Sequence, residues 1–126
     1  MATRNGTAGE DYACRLIEER GGRIICRNYV GKGGEIDIIA RQGQYLIFAE
    51  VKTRSTEAIM HPLESVTPAK QRRLLTTAME FLMVHPSELQ PRFDVIALIT
   101  DGRTGAFIRS DYIENAFDAG GAYAPF

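Results

Sequence analysis

Tryptophan is absent from this chain, and cysteine and histidine occur only twice each. Cys14 and Cys26 form no CxxC and stand at no zinc-finger spacing from a histidine. A disulfide framework and a structural zinc site are therefore not expected, and both thiols are read as free, buried and reduced. His61 and His85 each precede a proline, which places them near loops and away from a metal-ligand role. No apolar run approaches 18 residues, and no basic segment leads into an apolar one, so neither a membrane span nor an export signal is expected and the cytoplasm is the expected compartment. A strong charge of one sign is also missing: the net charge is -1 and the sequence pI about 6.1. Any nucleic-acid surface has to be local, because the chain as a whole has no basic footprint.

What is present suits a single folded domain. The 126 residues are 44% hydrophobic and 25% charged, ordinary globular values at a length that can bury its own core. Residues 5–20 place Ala8, Tyr12, Ala13, Leu16 and Ile17 on one helical face, and Gly21-Gly22 stops the helix. Residues 23–30 read as a strand and Lys32-Gly33-Gly34 as a turn. Two more strands fill 34–52. Residues 55–66 read as a loop. Thr67-Pro68 opens a second helix, which runs to about Val84 with Leu74, Leu75, Ala78, Met79 and Leu82 as its buried stripe. Strands at 92–100 and 105–113 follow, then a short helical end. The expected fold is α/β: a central mixed sheet of about five strands flanked by helices, one domain over 1–117 with a flexible tail over 118–126.

The chemistry concentrates in "GEIDIIARQGQYLIFAEVK", residues 34–52. Gly43-Gln44 fits a two-residue type II′ loop. In that register Asp37 faces Glu50, Glu35 faces Lys52 and Ile39 faces Phe48. Alternation puts these six on one face and Ile36, Ile38, Ala49 and Val51 on a core face. A three-residue loop would shift the pairing by one and separate Asp37 from Glu50. Opposed carboxylates with Cβ atoms about 5 Å apart are destabilising unless one holds a proton or a cation lies between them. Mg²⁺ takes oxygen ligands, often one or two carboxylates with water and phosphate completing the set. A nearby lysine then serves the nucleophile or the charge building on phosphate. The plainer alternative is a Glu35–Lys52 surface ion pair with Asp37 and Glu50 solvated.

"GEIDIIA" and "FAEVKTR", preceded by "GEDYA" and followed by "RFDVIAL", closely resemble the YraN-like family, proposed relatives of archaeal Holliday-junction resolvases within the PD-(D/E)xK nuclease superfamily. The resemblance covers about residues 6–117. It implies a restriction-endonuclease-like fold and a metal-dependent DNA endonuclease using Mg²⁺ or Mn²⁺ on branched DNA. It also implies roles. Asp37 matches the metal-binding aspartate, Glu50 and Lys52 match the (D/E)xK pair, and the Val51 carbonyl completes the ligands. Glu10 matches the acid on the first helix that helps hold the metal. The chain has Gly-Glu-Ile-Asp where the superfamily has Pro-Asp, a departure the resolvase branch shares.

Lys70, Arg72 and Arg73 at the start of the second helix, with Arg54 and Lys32 flanking the hairpin, suit either DNA phosphates or a solvated surface. Tyr29 suits sheet packing or stacking on a base. Arg92 and Asp94 read mainly as a structural pair. Two strands to cut make a two-fold homodimer natural. The alternative function is a non-catalytic nucleic-acid-binding or assembly module that retains a nuclease fold.

Overall fold

The computed structural model describes residues 7–57 and 66–117. Helix α1 spans Ala8–Glu19, followed by strands β1 (Arg23–Gly31), β2 (Gly34–Gln42) and β3 (Tyr45–Ser55). Helix α2 spans Pro68–Val84 and leads to β4 (Gln90–Thr100) and β5 (Phe107–Phe117).

Both helices begin at a threonine cap, Thr67 as expected and Thr7 within the segment expected to be helical. The Thr7 hydroxyl accepts the Glu10 N–H at 3.1 Å and the Thr67 hydroxyl accepts the Lys70 N–H at 3.2 Å, each satisfying one of the amides a helix start leaves unpaired. Helix α1 ends as a Schellman motif: Gly21, at φ +91°, donates to the Glu18 carbonyl and Gly22 to the Ile17 carbonyl.

The five strands form one sheet in the order β1-β2-β3-β4-β5. β3 and β4 pair in parallel and every other neighbouring pair is antiparallel. Parallel pairing requires a crossover, and α2 lies within it. The β2–β3 turn has Gly43 at φ +58°, the positive angle the expected type II′ turn needs at its first central position.

Each face of the sheet carries its own apolar core. Ala13, Cys14 and Ile17 of α1 pack with Ile38, Ala40, Ile47, Ala49, Ile96 and Leu98. Leu74, Leu75, Ala78 and Phe81 of α2 pack on the other face with Ile36, Ile39, Phe48, Phe93 and Phe117. The fold is the five-stranded mixed α/β arrangement of a restriction-endonuclease-like domain.

Several details differ from expectation: Met79 of α2 is exposed rather than part of the buried stripe, and Cys26 is only half-buried. No helix follows β5 among the described residues, because the chain stays extended to Phe117; the tail expected over 118–126 lies outside them, as do residues 5–6 of the first helix and 58–65 of the loop. Ile36 joins the α2-side core with Ile39 rather than the α1-side core with Ile38. Lys52 makes an ion pair with its own strand's Glu50, at 3.1 Å. The Arg92–Asp94 pair is buried: Asp94 accepts from Arg92 at 3.0 and 2.9 Å, from the Tyr112 hydroxyl at 2.6 Å and from the Asn115 N–H at 2.9 Å.

Candidate active site

The site forms where β2 and β3 part. Their ladder keeps the expected register from Gln42↔Tyr45 to Ile38↔Ala49 and stops there. β2 continues beside β1 as far as Gly31↔Gly34, and β3 continues beside β4 to Ser55↔Thr100. Asp37 stands at the fork. Its Oδ2 accepts the Val51 N–H at 2.8 Å, so a carboxylate side chain takes a strand amide that a continued ladder would have used. Asp37 and Glu50 are therefore brought together at a split, and not as the rungs of a regular hairpin.

The opposite side of the fork has a matching irregularity. Asn28 on β1, flanked by the pairs Arg27↔Ile38 and Tyr29↔Ile36, faces Asp37 and has φ +55°. A left-handed residue breaks the alternation of a strand. On β1 it leaves Cys26 and Tyr29, three residues apart, both packed on the α2 side, where Tyr29's partner Ile36 also lies. It also lets consecutive side chains meet α1: Asn28 Nδ2 lies 3.2 Å from each Glu10 oxygen, and Arg27 Nη2 lies 3.4 Å from Oε1. Arg27 Nη1 also donates to Asp11 at 2.9 Å. Glu10 is thus held by two side chains of β1.

Glu50 is 5% exposed. Its Oε2 is approached by Lys52 Nζ at 3.1 Å and by Lys70 Nζ at 3.4 Å, while its Oε1 is buried with no hydrogen-bond partner among the described residues. An orphaned carboxylate oxygen is costly. Asp37 shows the corresponding electrostatic strain: burial first, then the Glu50 charge, with Glu10 and Glu35 adding, push its carboxyl up to about 7 against the pull of the Val51 N–H.

These features define what the site can bind. Among the described residues no three His, Cys, Asp or Glu side chains converge as a ligand set. A zinc-type cage is therefore not built here. Two carboxylates, one with a free buried oxygen and one under anionic repulsion, do fit an oxygen-preferring divalent cation that keeps water and phosphate in its remaining positions.

Of the residues singled out for DNA contact, the fold brings Lys70 to Glu50. Lys32 lies exposed on a turn packed on α2, with its N–H donating to Glu80 at 2.7 Å and the Thr77 hydroxyl donating to the Gly34 carbonyl at 3.2 Å. That turn needs glycine, since a Cβ on Gly33 would come within 2.3 Å of the Arg73 carbonyl. Arg72 and Arg73 are exposed on the first turns of α2. Arg54 donates to the neighbouring Thr53 carbonyl at 2.9 Å. Asn28 and the Lys70–Glu50 pair escaped sequence reading. An asparagine in a strand was the available signal for the first, because asparagine tolerates positive φ; for the second only a capped helix start marked the place.

Residues 9–98 match the sequence model described as "Uncharacterised protein family UPF0102". The chain belongs to this family. It is the YraN family that the motifs resemble. A UPF0102 protein of Chlorobium phaeobacteroides is 46% identical over 116 residues, 89% of this chain and 92% of the relative. One from Symbiobacterium thermophilum is 45% identical over 122 residues, 94% of this chain and all of the relative. One from Myxococcus xanthus is 39% identical over 116 residues, covering 91% and 90%. The family match runs from the first turn of α1 into β4, so it takes in Glu10, Asp37, Glu50, Lys52 and Lys70. No helix among the described residues is long and apolar enough to cross a membrane.

Proposed function

We propose that this UPF0102 protein is a metal-dependent DNA endonuclease that hydrolyses phosphodiester bonds, with branched or otherwise structured DNA as its substrate. The observation that carries the reading is Glu50, a buried carboxylate with one orphaned oxygen set beside an Asp37 whose ionisation is opposed. Asp37 and Glu50, with the Val51 carbonyl, would hold Mg²⁺ or Mn²⁺. When bound, such an ion neutralises phosphate charge and lowers the pKa of a bound water.

The chain's own residues do the rest. Lys52 presents an ammonium donor for the attacking water or for a phosphate oxygen. Lys70 adds a second, held beside Glu50 by the capped start of α2. Glu10 acts through its charge on Asp37 and is kept in place by Asn28 and Arg27. Lys32, Arg54, Arg72 and Arg73 would meet backbone phosphates, which position DNA without reading its sequence. A homodimer would place two such sites on a two-strand substrate.

A second reading is a non-catalytic nucleic-acid-binding or assembly module. It is favoured by the absence of a third converging ligand among the described residues and by the two lysines that already balance Glu50. Calorimetric titration of Mg²⁺ and Mn²⁺ into wild type and Asp37→Asn, with and without a four-way DNA junction, separates the two. The nuclease reading expects metal binding that needs Asp37 and tightens with DNA, and metal-dependent cleavage reduced by about a hundredfold or more in the variant. Wild type that binds no metal, yet binds DNA in a salt-sensitive way, establishes the binding module instead.

A further inference from the structure

A cavity of about 500 Å³ lies at the other end of α2 from Glu50. The helix has 17 residues, which separates its ends by about 25 Å. The cavity is therefore distinct from the carboxylate site. Its size is that of a small-ligand pocket.

Its lining combines two kinds of group. Arg23 and Arg41 both face it, and they are direct partners across the β1–β2 ladder. Like charges opposed on neighbouring strands repel. Arg41 has a weak bond to the Gly43 carbonyl at 3.4 Å, Arg23 has no hydrogen bond or ion pair among the described residues, and no aspartate or glutamate lines the cavity. Arg20, Arg27, Arg92 and Arg109 are ion-paired; Arg23 and Arg41 have no acid partner among the described residues, and they oppose each other across a ladder at the mouth of a cavity. The remaining wall is aromatic and apolar. Tyr29 meets Phe81 edge-on at 5.2 Å, and the exposed His85 ring lies 4.7 Å from Phe81.

We propose that this cavity binds a nucleotide bearing a terminal phosphate monoester, with the phosphate between Arg23 and Arg41 and the base against Tyr29 and His85. A phosphate monoester carries a charge of about -1.5 to -2 at neutral pH and matches two guanidiniums, where a single carboxylate leaves one unbalanced. Guanidiniums bind phosphate in bidentate fashion, and a flat base stacks on aromatic rings. The chemistry is shared by two sources, a free mononucleotide and the phosphorylated end of a DNA strand. It does not depend on the metal-site reading, since no divalent ion and neither Asp37 nor Glu50 takes part.

The test is an amide NMR titration of the full chain in EDTA. The probes are deoxyadenosine 5′-monophosphate, inorganic phosphate, and a short duplex with a single-stranded 5′ end, either phosphorylated or bearing a hydroxyl. Free-nucleotide binding is expected to move the amides of Cys26, Tyr29 and Phe81, and Arg23→Gln or Arg41→Gln is expected to weaken it about tenfold. Response to the phosphorylated duplex alone, with the hydroxyl end silent and the same loss in both variants, supports the DNA end as the source. Three results each overturn the proposal: no response to nucleotide or duplex at millimolar concentration, responses that both Arg→Gln variants leave unchanged, or inorganic phosphate binding as tightly as the mononucleotide. Because both arginines are exposed, the variants are expected to stay folded, and their spectra report this directly.

Discussion

Asp37 is the residue at which folding and the proposed chemistry pull apart. Its carboxyl titrates at about 7 in the folded chain against an ordinary value of 3.8. In the metal-free protein the unfolded chain therefore releases this proton first as pH rises. The stability it contributes is complete below about pH 4, falls between pH 4 and 7, and is lost above. Asp37→Asn keeps an oxygen to accept the Val51 N–H and removes the charge. Urea unfolding in EDTA is expected to show this variant more stable than wild type by on the order of 2–4 kcal/mol at pH 8, with the difference closing at pH 4. Saturating Mg²⁺ should stabilise wild type and not the variant. Equal stabilities at pH 8 would mean that Asp37 is not under the strain described.

At the scale of the element, the decisive feature is the fork between β2 and β3 together with the left-handed Asn28 opposite it. Asn28→Gly keeps the backbone angle accessible and removes only the amide that holds Glu10. Asn28→Ala removes the amide and keeps a left-handed Cβ without asparagine's local hydrogen bonding, which places it about 1–2 kcal/mol below the glycine variant. Thermal and denaturant unfolding should rank wild type, then glycine, then alanine. An alanine variant as stable as the glycine one would show that the angle is relaxed by the surrounding strands. The regular parts of these elements were legible in the sequence. Thr67-Pro68 and Gly21-Gly22 are local signals, and Gly43 set the β2–β3 register through a turn of known geometry. The fork was not legible, because it depends on a side chain replacing a ladder partner, which periodicity does not encode. The full length of β5 was hidden for a related reason. Its pairing with β4 slips between Phe93 and Val95, and Asn115 at φ +52° interrupts the alternation that marks a strand. Asp37, Glu50 and Lys52 were found because their spacing survives translation into strand geometry; Lys70 was not linked to Glu50 because it comes from another element.

Among the described residues, the molecule is a sheet covered on each side by one helix, with α1 supplying Glu10 and α2 supplying Lys70 to the two sides of the same fork. The far end of the sheet is tied by a different device. Arg92 and Asp94 are both buried, and Asp94 uses its oxygens on Arg92, Tyr112 and the Asn115 amide. Asp94→Ala leaves a buried guanidinium without its charge partner and is expected to cost about 3–5 kcal/mol. An Arg92→Met, Asp94→Leu double variant should recover much of that loss in denaturant unfolding. A single variant as stable as wild type would mean that Gln42, at 2.8 Å from Arg92, and Glu114 suffice to hold the guanidinium.

The parallel join between β3 and β4 also sets an order of assembly during synthesis. The first three strands are linked by two-residue turns and close only short loops. Asp37 and Glu50 therefore lie within a segment that can pair once residue 55 has emerged. The β4 partner of β3 lies beyond α2, so Lys70 is fixed beside Glu50 only after the ribosome has delivered residues 68–100. A nascent chain released before that point carries the two carboxylates without the second lysine and with one long side of β3 open to a strand from another molecule.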